Sequence, residues 1–354
     1  MPSKAVLYKE VDGTEYSVDL PLTSNVDPRE IRDKLGLPSY IDLKYFPMEN
    51  AVVTIWAAIN APEMHRQYPD VFEKKICDNP IPALLFGGGA VKFLCRSANS
   101  GGVLSRNIKD VDFIVEKKQG WKFCKFLLNM GKALGTHFTS FATANDRRFS
   151  GWRHGERYRV TTINGVTKEG IPTITVMDIF CDAINLRHKI ELKDAFSRYR
   201  EYLYTIGLEY LLLSKAQFIT DTEKEDSDKL KEKGQEYRIL SYPYYDKQRI
   251  VVGMEEKDVK DVCAVFLDHP VGEAKGIDAQ RWRKILKDEK LAMTVTLNLR
   301  NVIEHPDVLG RWLSRSEVST VVDRIGALLR DLPRVDKKWD KPWWNTALET
   351  PAIG

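Results

Sequence analysis

The feature that most constrains the fold is a run of three glycines between a short apolar segment and an amphipathic one. The apolar segment is residues 83–86, the glycines are Gly87, Gly88 and Gly89, and the amphipathic segment is residues 90–96. Glycine accepts the backbone conformations that a tight turn needs, so this pattern predicts a strand, a turn and a helix in succession. Backbone N–H groups at such a helix start can bind phosphate. An ordinary glycine turn explains the three residues equally well.

Two aspartates precede the next apolar segment. Asp110 and Asp112 flank Val111, and residues 113–115 continue as a predicted strand. Side chains two positions apart on a strand point to the same side, so the two carboxylates should meet at one edge of a sheet. Like charges this close either raise a pKa or attract a cation, and oxygen ligands suit Mg²⁺ or Mn²⁺. Two exposed acids at a strand end are the alternative.

A third aspartate, Asp178, stands inside the apolar run 174–180. Burial of an unpaired carboxylate costs several kcal/mol, so this acid should have a partner. Asp182 lies nearer the end of the same run and is predicted to cap a helix instead.

The order of the predicted elements indicates an α/β (α+β) fold. A hairpin and short helices occupy residues 1–78, short strands alternate with helices over 79–190, and helices dominate 191–354. Such an order predicts a mixed sheet with flanking helices, followed by a mainly helical C-terminal region. The stretch 97–102, which contains glycine and serine, is predicted to be a flexible loop.

The motifs together resemble the DNA polymerase β-like nucleotidyltransferase superfamily. The residues that carry the resemblance are 85–90 (Leu-Phe-Gly-Gly-Gly-Ala), 106–113 (Arg-Asn-Ile-Lys-Asp-Val-Asp-Phe) and 176–179 (Val-Met-Asp-Ile). Arg106, four residues before the first acid, makes the chain most similar to the abortive-infection toxin branch. Ile108 stands where that branch usually has Ser or Thr. The interval from Gly89 to Asp110 is also longer, which indicates an insertion.

The resemblance implies a metal-dependent enzyme that transfers a nucleoside monophosphate from an NTP to a hydroxyl of RNA, tRNA, protein or a small molecule. It implies that Asp110, Asp112 and Asp178 bind Mg²⁺ or Mn²⁺ and act in catalysis, and that Lys215 contacts the triphosphate. For Asp228 an ordinary solvated acid explains the sequence equally well. The residues implied to bind the nucleotide are Gly87, Gly88, Gly89, Arg106 and Asp228.

Two functions of different classes fit the sequence. One is the active enzyme, and the other is a catalytically inactive relative that binds nucleotide or RNA. The presence of all three acids favours the enzyme. A stretch rich in arginine and aromatic residues, 147–159, could stack on bases and pair with phosphates, or could be a solvated hairpin edge.

The composition limits the class of protein further. The 54 Lys and Arg residues exceed the 50 Asp and Glu residues by only four, so no polyanionic partner is required. No apolar run approaches the length of a membrane span and no secretory signal is evident, which predicts a cytosolic or nuclear protein with no membrane partner. The five cysteines lack paired spacing and are predicted to be reduced. Trp343 and Trp344 are predicted packing anchors of the C-terminal tail.

Overall fold

The computed structural model describes residues 3–347, apart from 45, 193, 243–246, 273–275, 331, 333–338 and 340. It is a mixed α/β protein, 45% helical and 18% strand, which confirms the predicted fold class. The residues group into two compact units. The first comprises the described residues of 1–93, 107–184 and 191–206, and the second those of 94–106, 185–190 and 207–354. The predicted boundaries near 78 and 190 remain predictions.

Among the residues that the structure describes, the first unit contains a five-stranded sheet, a separate hairpin and six α-helices. Its strands are β1 (Ser3–Lys9), β2 (Glu15–Leu20), β3 (Leu84–Phe86), β4 (Asp112–Val115), β5 (Ser140–Phe141), β6 (Arg157–Val166) and β7 (Pro172–Cys181). Its helices are α1 (Pro28–Lys34), α2 (Phe46–Ile59), α3 (Ala61–Gln67), α4 (Gly87–Leu94), α5 (Gly120–Leu134) and α6 (Ala144–Trp152). The short strands β8 (Ala183–Asn185) and β9 (Lys189–Glu191) follow where the chain passes between the units.

The second unit is mainly helical, as predicted for the C-terminal region. Its helices are α7 (Leu208–Ala216), α8 (Asp226–Glu232), α9 (Glu256–Asp268), α10 (Ala279–Ile285), α11 (Glu289–Glu304), α12 (Pro306–Leu309) and α13 (Arg315–Arg330). Two strands, β10 (Thr220–Glu223) and β11 (Arg249–Val252), form an antiparallel pair.

The five-stranded sheet has the order β3-β4-β7-β6-β5. Only the pair β4 and β7 is parallel, and the other neighbours are antiparallel. The register pairs Phe113 of β4 with Ile179 of β7. The residues one step earlier, Asp112 and Asp178, therefore lie at the same level on adjacent strands.

Apolar periodicity explains how α5 packs against this sheet. Phe123, Phe126, Leu127 and Met130 are buried and follow the spacing that puts side chains on one helix face. Phe113 of β4 meets Phe123 edge-on, with ring centroids 5.5 Å apart. Packing in this core fixes the position and direction of β4, the strand that begins at Asp112.

A short extended segment covers the outer edge of β3. The N–H of Leu85 donates to the carbonyl of Tyr204 at 2.8 Å, and the N–H of Ile206 donates to the carbonyl of Leu85 at 3.3 Å. Backbone groups at the edge of a sheet otherwise remain open to pairing with another chain. Residues 204–206 thus complete the hydrogen bonding of the strand that precedes the glycines.

The tail tryptophans pack into the second unit as predicted. Trp343 and Trp344 are 3% and 6% exposed and belong to a core cluster that includes Ile219, Leu240 and Met293. The indole N–H of Trp343 donates to Thr294 Oγ1 at 2.9 Å. Each buried ring therefore adds apolar contact, and the polar atom of Trp343 is satisfied.

The stretch 97–102, predicted to be a flexible loop, begins in a 3-10 turn and is held by hydrogen bonds. Ser97 donates two hydrogen bonds to Asp268 Oδ2, from its backbone N–H at 2.8 Å and from its hydroxyl at 3.0 Å. Asn99 is 2% exposed and donates to the carbonyl of Cys95 at 2.8 Å. A β-carbon at Gly102 would lie 2.2 Å from the carbonyl oxygen of Ser97. The glycine here permits tight packing rather than mobility.

Two further expectations concern cysteines and membranes. All five cysteines are free, as predicted, and burial raises the pKa of the Cys181 thiol to about 12. Among the described residues, no helix combines the length and the apolar character that a membrane crossing requires.

Candidate functional site

The glycine run lies at the junction of β3 and α4. β3 ends at Phe86 and α4 begins at Gly87, so the predicted strand, turn and helix follow each other without a loop. Gly87 has a φ of +66°, a conformation that a β-carbon makes costly. A β-carbon at Gly87 would lie 3.6 Å from Asp112 Oδ2. The start of α4 is therefore next to the carboxylate at the start of β4.

Asp112 and Asp178 lie side by side on the parallel strands β4 and β7. The backbone N–H of Asp178 donates a 3.4 Å hydrogen bond to Asp112 Oδ1. Asp110 is exposed two residues before Asp112, and its charge acts on the Asp112 carboxylate. The structure thus brings the three predicted acids close enough to interact electrostatically.

The pKa of Asp112 is raised to about 8. Burial of the carboxylate is the largest cause, and the negative charges of Asp110 and Asp178 add to it. The positive charge of Arg157 and the hydrogen bond from the Asp178 backbone act in the opposite direction. A bound cation would favour the ionised form of Asp112, because its positive charge would offset these causes.

Asp178 has two arginine partners on the neighbouring strand β6. Its Oδ1 accepts a hydrogen bond from Arg159 Nε at 2.8 Å, and its Oδ2 accepts one from Arg159 Nη2 at 3.2 Å. Arg157 Nη2 also donates to Oδ2. The sequence predicted that this acid needs a partner, and two guanidinium groups fill that role by occupying both carboxylate oxygens.

The same two arginines rest on aromatic rings. The Arg159 guanidinium lies 3.7 Å from the ring centroid of Phe149 on α6, and that of Arg157 lies 4.1 Å from the centroid of Phe180. Within the described structure, Arg157 Nε and Nη1 are shielded from solvent and have no hydrogen-bond partner. Cation–π contact is the main compensation that these groups receive. Arg157 is therefore a fixed, buried cation.

A third arginine of the 147–159 stretch, Arg153, also lies over an aromatic ring. The Arg153 guanidinium lies 4.2 Å from the Trp152 ring, and Trp152 is 45% exposed. The stretch forms the end of α6 and the start of β6, joined by the hydrogen bond from the Arg159 N–H to Ser150 Oγ at 3.1 Å. The alternative roles predicted for this stretch, base stacking and a solvated edge, both remain open.

Asp182, the competing acid on the same run, has the capping role predicted for it. Its Oδ1 accepts a 2.8 Å hydrogen bond from the N–H of Lys117, the first residue of the 3-10 turn Lys117–Gln119. Its φ of +60° is unusual for a residue with a side chain and sets it apart from the extended strand before it. The Asp182 carboxylate thus binds the backbone N–H of Lys117.

Arg106 and Lys215 lie in the second unit, where both bind Asp261 on α9. Arg106 makes a forked pair with Asp261, with N–O distances of 2.8 and 2.6 Å. Lys215 Nζ lies 2.8 Å from Asp261 and 3.5 Å from Asp258. Burial lowers the pKa of Lys215, but the charges of Asp261 and Asp258 outweigh burial and raise it overall. The contacts with a triphosphate implied for Arg106 and Lys215 remain predictions.

The acids of this second cluster were not found from the sequence. Asp258 and Asp261 are 2% and 3% exposed, although they stand in a helix whose neighbouring residues Val259, Val262 and Val265 form its buried face. Two acids three positions apart on the apolar face of a helix indicate that cationic side chains pair with them in the interior.

Asp228 is a surface residue of the second unit. Its side chain is 78% exposed and forms an ion pair with Lys231 on the same helix at 3.2 Å. Such a pair is typical of a solvated helix face. Its implied role in nucleotide binding remains a prediction.

The three acids differ in how well they fit the implied cation. Within the part of the chain that the structure describes, no group of three or more His, Cys, Asp or Glu side chains is arranged to hold a metal ion. Asp110 and Asp112 supply the oxygen ligands that Mg²⁺ prefers, and a cation would offset the repulsion by Asp110 and Asp178 that adds to the effect of burial on Asp112. Asp178 can bind a cation only if Arg157 or Arg159 releases one of its carboxylate oxygens, because both oxygens accept hydrogen bonds from these arginines. The residues therefore fit a cation at Asp110 and Asp112.

Comparisons with known proteins assign the chain to no family. A scan against protein-family models, a search of curated proteins and a search of solved structures each find no match. The resemblance to nucleotidyltransferases therefore rests on the three motifs and on the geometry around Asp112.

Proposed function

We propose that this protein is a metal-dependent nucleotidyltransferase. It transfers a nucleoside monophosphate from an NTP to a hydroxyl group of RNA, tRNA, protein or a small molecule; the bond between the α- and β-phosphates breaks and pyrophosphate leaves. One observation carries the proposal: Asp112 and Asp178 meet on adjacent parallel strands, beside the residue that begins α4. Ligands for a divalent cation and free backbone N–H groups for phosphate are thereby combined in one place.

Each group of site residues has a separate role in the proposed reaction. Asp110 and Asp112 hold Mg²⁺ or Mn²⁺, which when bound supplies positive charge to the phosphates of the nucleotide. The N–H groups of Gly88 and Gly89, at the start of α4, donate to phosphate oxygens. Asp178 lies beside Asp112 and orients the acceptor hydroxyl or accepts its proton.

The proposal is tested by label transfer. The protein is incubated with Mg²⁺ and each radiolabelled NTP, once with total RNA and once with a lysate treated with ribonuclease. The parent is compared with Asp112→Asn and with a control, Asp323→Asn, which changes an exposed acid of α13. We expect transfer by the parent and the control, and a loss of about 100-fold or more for Asp112→Asn. Absence of transfer by the parent with every NTP would overturn the proposal.

A catalytically inactive nucleotide- or RNA-binding protein is the second candidate. It is favoured by the occupation of both Asp178 oxygens by Arg157 and Arg159. A silent binder would retain nucleotide equally well in Mg²⁺ and in EDTA, and it would transfer no label. The enzyme should bind NTP more tightly in Mg²⁺, because a cation offsets the repulsion between phosphate and the acids.

A further inference from the structure

We infer that Arg159 is a polyphosphate-binding residue that exchanges partners when a metal-bound nucleoside polyphosphate enters the site. Without this ligand Arg159 binds Asp178. With it, the guanidinium pairs with phosphate oxygens, and Asp178 becomes free to face the cation. This inference rests on the proposed function and adds a residue, and an order of events, that the three motifs do not include.

The first support is an excess of positive partners on Asp178. One carboxylate receives a hydrogen bond from Arg157 and two from Arg159. One guanidinium is sufficient to neutralise it. The second is available for another anion, and the planar fork of arginine matches phosphate oxygens as well as it matches a carboxylate.

The second support is a difference between the two arginines. The side chain of Arg157 is 8% exposed and that of Arg159 is 14% exposed. Within the described structure, Arg157 Nε and Nη1 are shielded from solvent. The backbone N–H of Arg159 donates to Ser150 Oγ, and its guanidinium lies 3.7 Å from the ring centroid of Phe149. Arg159 is therefore the partner that can leave Asp178 while the strand stays in place.

The third support is the charge balance. When all three acids are ionised, they carry one more charge than the two arginines, so in that state a bare anion is repelled from the site. A metal-bound polyphosphate supplies both missing partners together. Asp178 exchanges a guanidinium for a cation, and Arg159 exchanges a carboxylate for a phosphate, so neither charge is left without a partner.

The exchange predicts two binding changes of opposite sign in Arg159→Gln. Binding of Mn²⁺ alone, followed by electron paramagnetic resonance of the free ion, should become about 10-fold tighter, because Asp178 has lost a competing partner. Binding of magnesium tripolyphosphate, followed by calorimetry, should become about 10-fold weaker, because the phosphate has lost its guanidinium. Lys168→Gln, which removes an exposed charge in the turn between β6 and β7, is the matched control and should change neither.

The outcomes separate this inference from the proposed function. Unchanged Mn²⁺ affinity or unchanged tripolyphosphate affinity in Arg159→Gln would overturn the exchange, even if the parent transfers label. If the two affinities of Arg159→Gln change in opposite directions but the parent protein transfers no label, the exchange is supported and the proposed transferase activity is refuted. If Arg159→Gln does not fold, Arg159→Lys decides instead. It keeps the charge but loses the fork, so smaller changes of the same two signs are expected, and equal affinities would refute the exchange.

Discussion

The two units each contain a cluster of charged side chains, and the clusters differ in charge balance. In the second unit, Asp258 and Asp261 face Lys215 and Arg106, so two negative charges meet two positive ones. In the first unit three acids meet two arginines, and within the described structure Asp112 has no cationic side chain at ion-pair distance. The acids of the clusters are Asp258 and Asp261 in the second unit, and Asp110, Asp112 and Asp178 in the first.

The difference is visible in the titration of the two most comparable acids. Burial raises the pKa of Asp261, but Lys215 and Arg106 outweigh burial and lower it overall. Burial also raises the pKa of Asp112, and there Asp110 and Asp178 raise it further. A cluster with equal charges is complete as a structural element. The surplus acid in the first unit supports the proposal that a cation binds there.

The largest effect is expected from breaking the balanced cluster. Asp261→Asn leaves Arg106 and Lys215 with too little negative charge in a buried place, which should lower the free energy of unfolding by about 3–5 kcal/mol. Urea denaturation followed by circular dichroism measures this loss. Asp323→Asn, an exposed acid on α13, is the control and should change the free energy by less than about 0.5 kcal/mol. Equal stability of the two variants would contradict a structural role for the cluster.

The same substitution in the unbalanced cluster should affect catalysis and not stability. Asp112→Asn removes a carboxylate that is repelled by two others, so the thermal midpoint in metal-free buffer should stay level or rise. Label transfer should fall by about 100-fold, equivalent to about 2.7 kcal/mol of activation free energy. A clear loss of stability in Asp112→Asn would show that both clusters are structural.

A smaller effect is expected at the glycine turn. Gly87→Ala places a β-carbon on a residue with a φ of +66°, which should cost about 1–2 kcal/mol of unfolding free energy. Gly151→Ala is the matched control, because Gly151 lies in α6 with open space around it. That variant should gain about 0.5–1 kcal/mol in the same denaturation assay. A loss at Gly151 as large as that at Gly87 would mean that conformation is not the cause.

A further effect is the pH dependence of stability. Because the pKa of Asp112 is raised to about 8 in the folded state, the folded protein binds a proton that the unfolded chain releases near pH 4. This group therefore lowers stability as the pH rises from about 4 to 8, and its effect is constant above that window. The thermal midpoint of the parent, relative to Asp112→Asn, should fall across that window. Parallel midpoint curves would exclude a raised pKa at Asp112.

The parts of the site that could be predicted are local in sequence. The strand, the glycine turn and the helix follow from residues 83–96, whereas the meeting of Asp112 with Asp178 is predicted only through the resemblance to nucleotidyltransferases. Alternation along a strand is enough to say which side chains share a face. The fold class follows from the same periodicities.

The parts that could not be predicted depend on residues distant in the chain. Arg157 and Arg159 reach Asp178 through the register of β6 and β7, which no short motif specifies. Ser97 is held by Asp268, 171 positions away, so a stretch that reads as a loop is folded. The composition of a segment shows whether its residues are polar or apolar, but it does not identify the distant residues that they contact.

The absence of a loop between β3 and α4 has a consequence for affinity. Gly87 follows Phe86 directly, and β3 is hydrogen-bonded on both sides, to β4 and to residues 204–206. The N–H groups of the first helical turn are therefore preorganised by the sheet before any ligand arrives. A phosphate bound there orders no flexible backbone, so little conformational entropy is lost on association.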